Sequence, residues 1–177
     1  MKLRNALASA AVLAVGTFAL APAASAAPGD TVATFTITGL IAVTVPSSAD
    51  LATVATGATS ASGQLGPVTV EDTRGVAAAW STTVSTTTFT TGAGTPNQTV
   101  LLPKISYGSG PATAQTGIGG FVPLPTIVMA GADSTRTINL SGGDGMNSTT
   151  WNPTLTFSLL STQKAGTYTG TITHSVV

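Results

Sequence analysis

The chain has 177 residues, six Lys+Arg against six Asp+Glu, 7% charged and 42% hydrophobic positions, one histidine and no cysteine. Those figures exclude a disulfide scaffold, a zinc site built from cysteine or several histidines, a basic nucleic-acid binder and a highly charged disordered tail. What remains is a small, weakly charged chain rich in Thr, Ser, Gly and Ala.

The first segment, Met1-Lys2-Leu3-Arg4-Asn5, carries two positive charges; residues 6–20 are apolar, and Ala24-Ser25-Ala26 closes with small side chains. This pattern predicts a signal peptide over 1–26, cut between Ala26 and Ala27. The apolar run is short for a membrane span and no charged stop-transfer stretch follows. The expected address is therefore secreted, at the cell surface or cell wall, with no membrane span and no tail anchor at Val176-Val177. Residues 27–177 keep Arg74, Lys104, Arg136 and Lys164 against Asp30, Asp50, Glu71, Asp72, Asp133 and Asp144. That mildly acidic balance gives no electrostatic pull toward nucleic acid or anionic lipid. About 150 residues suffice for one domain.

Beyond the leader, short runs of Thr, Val, Ile and Ser are broken by Gly, Pro and Asn, without sustained apolar spacing of three and four. The pattern predicts an all-β fold. Phe35, Ile37, Ile41, Val43 and Val45 share one parity, predicting a strand with one buried face that ends at Pro46. Residues 47–66 read as a surface excursion with one weak strand near 51–55. Val68 and Val70 alternate with polar partners. Trp80 and Val84 then share a parity that Phe89 does not, which predicts a bulge or bend between Ser85 and Thr88.

Residues 92–97 read as a turn, 98–107 as a strand and 108–120 as a long loop. Residues 121–130, carrying Pro123 and Pro125, predict an edge or irregular strand. A strand over 135–140 and a tight connection at Gly142-Gly143-Asp144-Gly145 follow. Leu155, Phe157 and Leu159 alternate cleanly. In the last strand Tyr168, Gly170, Ile172, His174 and Val176 occupy one side and Thr167, Thr169, Thr171, Thr173 and Ser175 the other. Many short strands with turn signals and no fixed repeat predict a single antiparallel β-sandwich domain over 27–177.

Catalysis needs a nucleophile with a base, a tuned carboxylate pair or a metal cluster, and here the groups are scarce. His174 lies on the apolar parity of its strand, where a packed histidine is expected in preference to a base, and no G-x-S-x-G pattern is present for it to activate. Glu71 and Asp72, being adjacent, point to opposite faces, whereas Asp72 and Arg74 meet on one face as a local ion pair. Asp144 with Asn147 lacks the spacing and distal Glu of a calcium loop. Three N-x-S/T triplets begin at Asn97, Asn139 and Asn147, a chance-level number in such a Ser/Thr-rich chain. The expectation is a protein with no metal, no cofactor and no enzymatic activity. Trp80 and Trp151 are candidate binding residues because indole faces stack on sugars; Trp80 reads as core, and Trp151, beside Asn152-Pro153, as a ring partly exposed at a loop junction.

The run Gly39-Leu40-Ile41-Ala42-Val43-Thr44-Val45-Pro46, the segment Val68-Thr69-Val70-Glu71-Asp72-Thr73-Arg74-Gly75, Trp80 in its Thr/Val strand, and the terminal Gly166-Thr167-Tyr168-Thr169-Gly170 strand together resemble the WxL cell-surface domain of Gram-positive bacteria. The similarity covers about 31–176, and its most specific parts are the D-x-R-G element with the following tryptophan and the G-x-Y-x-G strand. The two W-x-L positions are occupied by Trp80-Ser81-Thr82 and His174-Ser175-Val176, both degenerate. The resemblance implies a β-sandwich that attaches non-covalently to peptidoglycan or another cell-wall glycan. It makes Trp80 and His174, with Trp151, the candidate binding residues, and Asp72, Arg74, Gly75, Gly166, Tyr168 and Gly170 structural ones. The alternative is a structural or adhesin-like subunit whose sheet edges pair with itself or with surface-protein partners.

Overall fold

The computed structural model describes residues 34–130 and 136–177, with the backbone alone for 136–140. The expected leader over 1–26, Thr135 and the Asn139 side chain lie outside the described residues. The chain divides into two compact units, Met1–Thr36 and Ile37–Val177. Among the described residues every strand lies in the second unit, every strand pairing is antiparallel, and helix is confined to two short 3-10 turns. The fold is all-β, as expected. No helix among the described residues is long and apolar enough to cross a membrane.

One layer contains two four-stranded ladders. The first orders β1 (Ile41–Thr44), β3 (Val68–Asp72), β12 (Asn147–Trp151) and β8 (Ala112–Thr116). The second orders β10 (Ile127–Val128), β7 (Ile105–Gly108), β13 (Thr154–Ser158) and β2 (Ser60–Gln64). These ladders share three chain segments, because β2 leads into β3, β7 into β8 and β12 into β13. Each segment is interrupted by a proline, at Pro67, Pro111 and Pro153. A proline cannot donate to a ladder, so the three breaks form one crease. Across it the Leu65 amide donates to the Pro153 carbonyl (2.9 Å) and the Gly66 amide to Asn152 Oδ1 (3.0 Å), while Asn152 Nδ2 donates to Gln64 Oε1 (2.9 Å).

The opposing layer orders β14 (Ile172–Val176), β4 (Trp80–Thr86), β11 (Arg136–Ser141) and β9 (Gly120–Val122), with a two-stranded ladder of β5 (Phe89–Thr90) and β6 (Thr99–Val100). Period-two alternation builds the core between the layers. Val68 and Val70 from β3, Thr149 and Trp151 from β12, and Trp80, Thr82 and Val84 from β4 point inward and are buried. Ring contacts tie the layers together: Trp80 to Trp151 (6.4 Å between centroids), Phe121 to Trp151 (5.4 Å) and Phe89 to Phe157 (4.8 Å). Burying such large rings is a principal source of core stability.

Several expectations are corrected. The strand expected through Val45 is confined to β1, whose partner β3 ends at Asp72; Phe35 (86%) and Ile37 (85%) are exposed, not buried, and so is Val45. The weak strand near 51–55 is absent, and β2 forms further on, where β13 offers a complementary edge. Between Thr86 and Phe89 the chain leaves one ladder for another, so the expected bend is a change of sheet. The strand over 98–107 is split by a 3-10 turn at Leu102–Lys104 containing Pro103. The loop expected over 108–120 contains β8, an edge strand. Residues 121–130 supply β9 and β10, both at sheet edges, as the prolines require.

Candidate functional site

The three candidate binding residues converge, but in the core. Trp80 opens β4 with its ring inward, 2% exposed, and its Nε1–H donates to Asn147 Oδ1 on β12 at 3.1 Å. Trp151 closes β12 with no exposed surface, and its Nε1–H donates to the Tyr107 hydroxyl at 3.4 Å. That hydroxyl lies 3.0 Å from His174 Nε2. An indole only donates, so the Tyr107 oxygen accepts from Trp151; it donates to His174 Nε2 when the imidazole proton is on Nδ1 and accepts from Nε2 in the other tautomer.

The expectation that the Trp151 ring is partly exposed is therefore corrected. Its position at the end of a strand is as read, but Trp80 and Phe121 of the opposing layer stack against the ring and Tyr107 takes its Nε1–H. Neither indole offers a face to a sugar. His174 is half-buried, and burial lowers its pKa to about 4. At neutral pH it is uncharged inside a packed network. Burial also pushes the Tyr107 phenol far up. Tyr107 and Asn147 are the partners that sequence reading missed as members of this cluster; the signals were Tyr107 sharing parity with Ile105, and Asn147 with Thr149 and Trp151.

Asp72 and Arg74 meet as expected, and their pairing is more than an exposed contact. Arg74 Nε and Nη2 donate to the two Asp72 carboxylate oxygens at 2.9 Å each, and the Arg74 amide adds a third bond at 3.1 Å. The carboxylate is buried, and the Arg74 hydrogen bonds hold its pKa below the ordinary value. Gly75 follows with φ +68°, a left-handed turn that brings its amide to the Gly145 carbonyl at 2.8 Å. The motif therefore works as a clasp that closes the turn after β3. Asn147, being buried and bonded to Trp80, is no open glycan acceptor. Asp144 Oδ1 accepts the Met146 amide at 3.0 Å, and no cluster of three or more metal-holding side chains occurs among the described residues.

At the other end of the chain Gly170 packs against Phe89, where a Cβ would stand about 2.5 Å from the ring. The Tyr168 hydroxyl is shared between the carbonyls of Lys164 (2.8 Å) and Asn97 (3.1 Å). Together with Gly166, backed by the Thr91 side chain, these residues shape a wall of an open groove of about 540 Å³. Its apolar side includes Phe89, Val100, Phe157 and Leu159, and its opposite wall is the coil 49–58.

A different surface is polar. In the register of β14 with β4, Thr173 stands beside Ser85 and Ser175 beside Thr83, all on the outer side, while His174 and Val84 point inward. Antiparallel geometry spaces such side chains by about 4.8 Å across the strands and about 6.8 Å along them. The result is an uncharged hydroxyl lattice.

No family model, no curated protein and no solved structure matches this chain.

The likeness to the WxL domain rests on motif residues alone, and in the structure those residues have framing roles: a carboxylate clasp, a buried indole and a glycine-bracketed segment that, against expectation, lies ahead of the last strand, β14 starting only at Ile172 and Thr169 making a single bridge to Thr90.

Proposed function

We propose that this is a secreted cell-surface protein that associates non-covalently with the cell wall, meeting the glycan strands of peptidoglycan or another wall glycan through the outer face of β4 and β14. The observation that carries the reading is the hydroxyl lattice formed by Thr83, Ser85, Thr173 and Ser175. Hydroxyls both donate and accept, so an array of them matches the hydroxyls of an extended polysaccharide without requiring charge. The buried indoles support that face from beneath; they do not touch the ligand.

Co-sedimentation of the exported protein with purified sacculi tests this. Native protein is expected in the pellet, and the double variant Thr173→Glu/Ser175→Glu to bind about tenfold more weakly, or about 1.4 kcal/mol. Recovery of the native protein wholly in the supernatant would contradict the proposal. A second reading, association of copies through sheet edges, is favoured by one specific observation: among the described residues β2 pairs only with β13, and Ala61 on it borders the groove.

A further inference from the structure

The second reading can be given an occupant. Near β1 the sandwich edge is closed, because β1 pairs with β3 and lies against β14 of the opposing layer. Past the crease, among the described residues, the equivalent position beside β2 has no ladder-bonded strand; the coil 49–58 touches β2 where the Leu51 backbone packs against Gly63, and beside Ala61 a groove opens onto Phe89 and Phe157. The missing element would be an extended segment with apolar side chains at alternate positions.

This chain has such a segment. In the arm 34–40, Phe35 and Ile37 share one side, Thr34, Thr36 and Thr38 take the other, and both apolar side chains are more than four-fifths exposed. At its end Gly39 packs against the Thr73–Arg74 backbone and Leu40 bonds the Thr73 amide and hydroxyl. Extended, the five residues 34–38 ahead of that tether reach about 17 Å, the length of five-residue β2. Neither the arm nor β2 contains a charged residue, so the lysine or glutamate that commonly guards an edge strand is missing from both.

We propose that the arm 34–40 of one copy enters the groove of a second copy and adds a strand to the outer edge of β2, with Phe35 and Ile37 turned toward Phe89 and Phe157. This rests on the sheet-edge reading and is independent of wall binding. Each copy has one arm and one groove, so the contact is head-to-tail and, unless it closes into a ring, propagates into chains.

Sedimentation velocity of the exported protein, without wall material, tests the proposal from micromolar to millimolar concentration. The native protein is expected to grow in mass with concentration. An arm variant, Phe35→Asp/Ile37→Asp, and a groove variant, Ala61→Arg, are each expected to stay monomeric alone. Mixed, they retain one working arm and one working groove between them, so dimers and nothing larger are expected. If Ala61→Arg does not fold, Thr167→Arg on the exposed far wall replaces it. Native protein that stays monomeric throughout, variants that assemble like the native protein, or a mixture that remains monomeric would each overturn the proposal. The arm variant should still sediment with sacculi as native protein does, which separates failure of this contact from failure of wall binding.

Discussion

His174 holds a position where its protonation works against folding. Its pKa is lowered by burial to about 4 in the folded chain, against about 6.5 for an unperturbed histidine. Between those values the unfolded chain binds the proton more readily, so stability is fully present above pH 6.5 and falls as the pH drops toward 4. The expected loss across that window is on the order of 3 kcal/mol. Chemical denaturation at a series of pH values, compared with His174→Gln, checks it: the variant can still accept from Tyr107 and should lack that part of the slope. Equal slopes in the two proteins would show that His174 does not titrate this way. At this scale the sequence was partly readable. Parity alone placed His174 inward with Ile172 and Val176, but its bond to Tyr107 depends on a partner 67 residues away and on how the layers face each other. Trp151 was misjudged for the same reason: local composition after the ring resembles a loop, and only tertiary packing shows what covers it.

The elements owe their form to prolines as much as to alternation. Pro67, Pro111 and Pro153 interrupt three neighbouring segments at one level, and Asn152 bridges the gap by bonding the Gly66 amide and the Gln64 side chain. Asn152→Ala removes both bonds and leaves a partly buried amide without its acceptor, at an expected cost of about 1–2 kcal/mol. Urea unfolding of the variant measures it, and a change below a few tenths of a kcal/mol would show that the crease holds without this bridge. Strong alternation made β3, β4, β13 and β14 legible from sequence. By contrast β2, with sequence Ser60-Ala61-Ser62-Gly63-Gln64, and β8, with Ala112-Thr113-Ala114-Gln115-Thr116, have no hydrophobic signature. They are strands because β13 and β12 present unpaired edges to them, a tertiary cause invisible in a local window. The reverse error occurred at Phe35 and Ile37, where alternation is strong yet no described residue buries either side chain.

For the molecule as a whole, the physical reading divides the interior from the exterior in an unexpected way. Residues that composition and resemblance single out for recognition, Trp80, Trp151 and His174, join the two layers, whereas the outer surfaces available for association are plain rows of Ser and Thr and an unguarded strand edge. Sequence could establish the fold class, because alternation and turn chemistry are local. It could not separate a ring that binds from a ring that packs, since both call for the same residue type. The chain has only these two tryptophans, so acrylamide quenching of intrinsic fluorescence reports on them without interference. With both indoles buried, the native protein should emit at short wavelength and resist the quencher, becoming readily quenched and red-shifted only on unfolding. Native emission quenched as efficiently as that of the unfolded chain would place the rings in water and contradict the account.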